Sequence, residues 1–490
     1  MSNGTLPEYL SMAKPNPPGN RAPWYKNTAP TYAGIMLWFV FWQDVPGGAG
    51  ALGGVLSHGL GTALLGLILA ALLCHFLYYL VPAMLGMKTG LPLYIVGTST
   101  YGATGGFIMP GFVMGLLQFG WLGVNSCFSA AFLVKPFYPD LGLLEVISTP
   151  PHIIVAIIWA AAAAFMGLKG IQYVAKVATY LPLIPLGILV ILFFCTVGGV
   201  GSFEPAQVGV TADAEGALTT IGVIAVLLTY VIGFFATAGA AGTDFGMNSR
   251  DEKDVSMGGL VGIAGATIFA GGLALLIVAG AFGSGKATDA AVLNPTQLMG
   301  ALIGAKTGAV FMWLLALAAF PPACFSSFIA ANSFKTTLPK VNPFITVGIG
   351  TAVSILLAVT GWAAEVMFVF GVIGASFGPV CGAMMVDYIM AGKKWAGPRA
   401  SFNPAGWISW VVGFIVGMMP LVSLPLVGKV NIPAAPLMAF IVGAVLYYAL
   451  AKAGLESPVL EMTAAPAPSA PQEAPSEKKA QEKGAKKKGK

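Results

Sequence analysis

Residues 36–60 read MLWFVFWQDVPGGAGALGGVLSHGL. An aromatic, apolar run is cut by Gln43, Asp44 and Pro46, and five glycines follow between Gly47 and Gly54. Gly and Pro are poor helix formers. At membrane depth the backbone groups they free must be satisfied by protein or by water in a cavity. Residues 227–246, LLTYVIGFFATAGAAGTDFG, hold a run of small residues from Ala236 to Thr243, and residues 370–388 read FGVIGASFGPVCGAMMVDY. Interrupted segments at corresponding places in two halves of a chain point to a transporter site. Gly and Ala there also serve close helix packing. For Asp44, beside a proline and a glycine run, a broken helix is the reading adopted.

The whole composition fits that start. Of 490 residues, 57% are apolar and 9% charged, with mean hydropathy +0.82. A soluble chain carries about a quarter charged residues. A soluble enzyme, a nucleic-acid binder and a fibrous protein are therefore excluded. The apolar runs are continuous and do not alternate, which argues against an outer-membrane barrel. Twelve spans are expected near 31–57, 60–84, 107–133, 151–169, 173–198, 217–246, 257–283, 308–334, 341–360, 362–391, 404–424 and 431–453. The expected fold is an all-α integral membrane protein of about twelve transmembrane helices. Spans one and six lie five apart, so spans 1–5 and 6–10 can form an inverted repeat.

With the N-terminus inside, fourteen Lys and Arg of the body fall on the inner side and four (Lys135, Lys286, Lys306, Lys429) outside. The positive-inside rule then predicts both termini cytoplasmic in a multi-pass protein of the plasma (inner) membrane. Residues 1–30 form a polar cytoplasmic segment without a signal peptide's apolar core. The twelve-helix domain is 31–453, with repeat one at 31–198, repeat two at 217–391 and added helices at 404–453. Residues 454–490 are rich in Pro, Ala and Lys and are expected to be a disordered cytoplasmic tail. The net charge of +6 splits into +2 from residues 456–490 and +4 from the body, and signals no nucleic-acid partner. The five Cys lie in apolar stretches without a CxxC, and there are three His, so neither a disulfide framework nor a metal site is expected. Motifs of hydrolases, metalloproteases and ATPases are absent. The chain is read as no enzyme, and its driving force as an ion gradient.

Residues 111–128, GFVMGLLQFGWLGVNSCF, put Gln118, Trp121 and Asn125 at i, i+3 and i+7, one helix face. That stripe suits a flat polar heterocycle: an indole to stack on, and amides that offer donors and acceptors. Amides also bond membrane helices to one another. Asp44 is the only acid of the first two spans, and an ionisable group at that depth costs about 2.5–3.5 kcal/mol. It can ligate Na⁺, carry a proton, pair with a cationic substrate, or cap a half-helix. Asp244 and Asp387 close spans six and ten and read as inner-gate or capping residues. Ser326 and Ser327 either line a pathway or bond back to their own helix.

Four segments then resemble the nucleobase–cation symporter family of cytosine, purine and hydantoin permeases. They are KTGLPLYIVGTSTYGATGG (88–106), QFGWLG (118–123), TDF (243–245) and GPVCGAMMVDYIM (378–390). The resemblance runs from about Thr31 to Leu450. It implies a leucine-transporter-like 5+5 inverted repeat plus two C-terminal helices, and alternating access around a midplane site. It implies that a planar substrate stacks on Trp121 while Gln118 bonds its edge. It also implies that Phe235, with Phe234 adjacent, is the span-six aromatic partner, and that the backbone near Gln43 closes the site. The family's span-eight hydroxyls are missing from AAFPPACFSSF (318–328), where Pro321, Pro322 and Ala323 stand. Asp44, or Ser326 and Ser327, would then carry the coupling cation, Na⁺ or H⁺. The expected function is cation symport of a nucleobase or related planar heterocycle. The alternatives are a cationic amine or vitamin-like substrate read by Asp44, and a ligand sensor that does not transport.

Overall fold

The structure is a computed structural model that describes residues 6–38, 44–46, 54–169, 180–208, 217–286, 295–423, 428 and 430–462. Among the described residues there are helices and two isolated β-bridges but no strand. The principal helices are α1 (Thr28–Met36), α2 (Leu60–Thr89), α3 (Phe107–Phe137), α4 (Pro150–Lys169), α5 (Leu183–Ser202) and α6 (Thr220–Ala240). They continue as α7 (Glu252–Gly283), α8 (Ala305–Thr337), α9 (Pro343–Val359), α10 (Val366–Met390), α11 (Pro404–Met418) and α12 (Ala435–Lys452). Nine of these among the described residues are long and apolar enough to cross a bilayer. That is fewer than the twelve expected. Helices α9 and α11 are apolar but shorter, and α1 is described over nine residues.

Two groups of helices form. Helices α1, α2, α6 and α7 pack together, and so do α3, α4, α8 and α9. Helices five apart in chain order therefore share a group. Helix α5 joins them by touching α7 and α8, while α10 packs on α6 and on α11 and α12. Small residues allow the closest approaches: a Cβ on Gly382 would lie 2.3 Å from Phe440 O, and one on Gly443 2.5 Å from the Pro379 Cα. Leu65, Phe165, Phe194 and Ile349 are exposed on the outer surface, as a lipid-facing wall requires.

Two expected interruptions differ in the structure. Helix α6 runs on through the small residues to Ala240, and a short helix, Gly242–Gly246, follows at its end. Helix α10 is continuous over 25 residues with Pro379 inside it. Neighbouring helices press on Pro379 and hold the chain helical there, which a lone helix in water would not do. For span one, α1 ends at Met36, Asp44–Pro46 lie in a helical turn, and residues 39–43 and 47–53 fall outside the described residues.

Both described ends pack at one end of the bundle. The segment between α2 and α3, with short helices Leu93–Val96 and Thr98–Tyr101, lies at its centre. Residues 6–27 cross it: Tyr9 Oη donates to Ala103 O, and Asn16 N to Gly90 O at 2.8 Å. Asn16 Nδ2 donates to Met247 O (3.0 Å) and Asn248 Oδ1 (2.9 Å), and Trp24 N to Asp254 Oδ1 (3.1 Å). The segment after α12 folds back too: Arg399 Nη2 meets Glu456 Oε1 at 2.6 Å, and Ser457 N donates to Asn403 Oδ1 at 3.0 Å. Residues 454–462 are thus docked, contrary to the expectation of disorder from 454 on. The cause is local: Glu456 supplies a charge to a largely buried arginine. Residues 463–490 lie outside the described residues.

Candidate functional site

Three aromatic rings from three other parts of the chain meet around Trp121 of α3. Phe234 of α6 stands edge-on to it at 5.0 Å and 80°. Phe370 of α10 lies at 5.2 Å and 35°, and Phe234 and Phe370 are 5.4 Å apart. Trp38, just after α1, is 6.4 Å from both Trp121 and Phe234. A buried indole N–H needs a partner. Trp121 Nε1 donates to Thr237 Oγ1 of α6 at 3.0 Å. That bond and the Phe234 contact join the group of α3 to the group of α6.

The other residues of the α3 stripe divide. Gln118 is buried, and its Nε2 faces the thioether of Met114 at 3.5 Å, a weak acceptor. Asn125 is committed to packing. Its Nδ2 donates to Ala319 O of α8 (2.9 Å), and its Oδ1 accepts from Trp159 Nε1 of α4 (3.0 Å) and Ser129 Oγ (3.3 Å). Phe235 does not face Trp121. It points to Tyr32 of α1 at 5.8 Å, and Tyr32 in turn contacts Tyr79 and Phe245. The span-six partner of Trp121 is Phe234, because one residue turns a helix by about 100°. Gln43 lies outside the described residues.

Asp44 is half-buried in its helical turn beside the ring cluster. Tyr230 Oη donates to Asp44 Oδ2 at 3.4 Å, and the Tyr230 ring stands on Phe370 at 5.1 Å. Ser326 and Ser327 bond back along α8, to Pro322 O (3.2 Å) and Ala323 O (3.4 Å). Helix α8 runs unbroken through Pro321 and Pro322. Those two prolines withdraw the helical donors of the Leu317 and Ala318 carbonyls, four residues earlier. The structure therefore does not bring Ser326 and Ser327 to Asp44 by any described contact.

Asp244 and Asp387 both hold the segment between α2 and α3. Asp244 Oδ1 accepts from Leu93 N at 3.1 Å. Asp387 Oδ2 accepts from Ser99 Oγ (2.6 Å) and Thr100 Oγ1 (3.2 Å), while Oδ1 meets Arg399 Nη1 (2.8 Å) and Tyr447 Oη (3.0 Å). Burial works against the charge of Arg399, but the carboxylates of Asp387 and Glu456 outweigh it and hold its pKa above the ordinary value. Asp387 is therefore a buried tie between α10, α12 and two loops.

Sequence reasoning missed Tyr230, Thr237, Phe370 and Trp38. Tyr230 and Phe234 are four apart on α6, a spacing that could have joined them. Phe370 carried no such signal. Among the described residues no group of three or more His, Cys, Asp or Glu could hold a metal ion.

Residues 23–400 match the model of a family described as permeases for cytosine/purines, uracil, thiamine and allantoin. No curated protein sequence matches the chain significantly. Among solved structures, Mhp1, a nucleobase-cation-symport-1 family transporter, is similar in a closed conformation with bromovinylhydantoin bound. Its TM-score is 0.64 at 12% identity, over 91% of this chain and 97% of that one. The inward-facing conformation of Mhp1 gives 0.62 at 14% identity, over 92% and 97%. A substrate-bound, outward-open Na⁺-coupled sialic acid symporter gives 0.55 at 15% identity, over 90% and 92%. At these identities the likeness is one of fold.

Proposed function

The chain belongs to the family of permeases for cytosine/purines, uracil, thiamine and allantoin, and from that premise we propose that it is a cation symporter for a nucleobase or related planar heterocycle. It is a multi-pass membrane transporter and no enzyme. One observation carries the proposal: a carboxylate, Asp44, lies one hydrogen bond and one ring from an aromatic cluster drawn from α3, α6, α10 and the residue Trp38 just after α1. A planar substrate stacks on the Trp121 indole, an interaction worth about 1–3 kcal/mol per base. Gln118 supplies edge hydrogen bonds. The coupling cation, Na⁺ or H⁺, is held at Asp44, because α8 offers no hydroxyl at Pro321–Ala323. Repeat one spans 31–198 and repeat two 217–391, and the helix groups five apart in order support that division. The end that carries both chain ends is the cytoplasmic one. Alternating access then moves the α1, α2, α6, α7 group against the α3, α4, α8, α9 group.

A second reading shares the fold. A carboxylate near aromatic faces also suits a cationic heterocycle, held by charge and by cation–π contact. The test is uptake into proteoliposomes of labelled cytosine, uracil, hypoxanthine and thiamine, each under an inward Na⁺ gradient, a proton gradient, or neither. Accumulation of a neutral base that needs one gradient and is lost in Trp121→Ala supports symport and names the cation. Accumulation of thiamine alone, lost in Asp44→Asn, favours the second reading. Saturable binding without counterflow would overturn transport and leave a sensor.

A further inference from the structure

We infer that the groove between α4 and α9 holds one anionic phospholipid, its headgroup on Lys169, Lys335 and Lys340 and one acyl chain along the groove. The groove lies on the outer wall, away from the rings at Trp121, and has a volume of about 290 Å³. Ala161, Ala164 and Phe165 of α4 line it, with Phe344, Gly348 and Thr351 of α9. Small residues open it. A Cβ on Gly348 would meet nothing within 4 Å, whereas one on Gly350, on the packed face of α9, would run into the Phe119 ring. Gly348 therefore does not serve close packing of helices. Among the described lining residues Thr351 alone has a polar side chain, and its hydroxyl bonds back to Val347 O at 2.7 Å. The groove is thus apolar, and in a bilayer a lipid tail fills it.

A tail alone gives no preference, because lipid tails are as apolar as the wall. The headgroup supplies it. At the end that carries both chain ends, Leu168 of α4, Phe334 of α8, Leu338 and Val347 of α9 pack into one apolar cluster. Lys169 closes α4, Lys335 lies in the last turn of α8, and Lys340 stands just before α9. All three are exposed, and Lys169 Nζ is 5.1 Å from the centre of the Phe344 ring at the mouth of the groove. Among the described residues none of the three pairs with a carboxylate, although Lys88, Arg250 and Arg399 at the same end do. Residues 165–180 and 335–345 contain no Asp or Glu. A basic rim without acids, set at the end of an apolar groove, suits a lipid phosphate. A second copy of the chain suits it less: a two-fold axis along the membrane normal would bring the same lysines face to face.

The test titrates the full-length protein, stripped of lipid in detergent, with dioleoyl-phosphatidylglycerol, dioleoyl-phosphatidylcholine and inorganic phosphate. Native mass spectrometry reads the affinity of the first lipid bound and the oligomeric state, and melting temperatures are recorded in parallel. Each lysine is worth about fivefold at an anionic headgroup, so phosphatidylglycerol should bind about 100-fold more tightly than phosphatidylcholine. The triple variant Lys169→Gln/Lys335→Gln/Lys340→Gln should lose that preference and bind phosphatidylcholine as before. Gly348→Leu keeps the lysines and fills the groove. Its side chain starts in open space, so it should fold, and phosphatidylglycerol should bind it about tenfold more weakly through lost chain contacts.

A preference that survives in the triple variant overturns the inference. Binding unchanged in Gly348→Leu overturns it too, because the headgroup then rests on a charged patch without the groove. Inorganic phosphate that raises the wild-type melting temperature as far as the lipid does overturns it in favour of a free-anion site. A dimer that Gly348→Leu dissociates gives the groove to a second copy and overturns it as well.

Discussion

Trp121 Nε1 donates to Thr237 Oγ1 across 3.0 Å, and so a residue of α3 is bonded to a residue of α6. The two helices belong to the two groups that the proposed alternating access moves against each other. The bond fixes the indole plane against Phe234. Thr237→Val keeps the shape and removes the acceptor, at a net cost of about 0.5–1.5 kcal/mol. Substrate affinity should fall up to about tenfold, with the fold intact. Trp121→Ala removes the stacking surface itself and should cost about 1–3 kcal/mol of binding. Calorimetry with the best-bound base checks both. Equal losses in the two variants would contradict the division between orienting and stacking.

Gln118 and Asn125 share a helix face but should respond oppositely. Asn125 bonds Ala319, Trp159 and Ser129. Asn125→Ala leaves buried groups on α4 and α8 unpaired, at about 1–3 kcal/mol each. Its melting temperature should drop by several degrees. Gln118→Ala gives up only a weak contact to Met114. It should melt near the wild type yet bind substrate about tenfold less tightly, the worth of one or two hydrogen bonds. Thermal shifts with and without substrate separate the two.

The sequence was most legible where a single residue type settles the matter. Long apolar runs with Lys and Arg at their ends marked the spans, since a bilayer accepts little else. Trp121 stood out because an indole flanked by amides is costly in a membrane helix without a use. Phe234 and Phe235 differ by one position, and only packing against Trp121 or Tyr32 separates them. Asn125 was read beside Gln118 because spacing shows the face a side chain occupies and not its partner on another helix. Phe370 was hidden for the same reason, as one phenylalanine among 30. The tail was misjudged at its start because composition cannot foresee that Glu456 finds Arg399.

Asp387 should act as a structural tie. Its carboxylate and the Arg399 guanidinium are 2.8 Å apart, with side chains 5% and 8% exposed. Removing one member of a buried pair strands the other, at about 3–5 kcal/mol. Asp387→Asn should lower the melting temperature markedly and reduce expression. Glu456→Gln should be milder, since its side chain is 26% exposed and Arg399 keeps Asp387. Asp387→Asn protein of wild-type stability and altered transport would instead mark a moving gate.

Residues 6–27 should control how readily the same end opens. Asn16 alone makes three bonds to the rest of the protein, to Gly90, Met247 and Asn248, and so bridges the end of α2 and the loop after α6. Ala22 N donates to Asn248 O at 2.8 Å in parallel. Both anchors belong to the α1, α2, α6, α7 group, while Tyr9 bonds Ala103 in the segment before α3. The strap therefore spans the seam between the groups, and opening that end must break some of these bonds. Asn16→Ala removes the two side-chain bonds that leave the strap, worth about 1 kcal/mol each, which eases local opening about 10- to 30-fold. Hydrogen exchange should accelerate in residues 15–24 and 91–106 and stay unchanged in α8. Transport should shift in KM for the substrate presented from the opposite face, because the outward-facing state loses population. Unchanged exchange in 91–106 would show that the strap rides on one group and spans no seam.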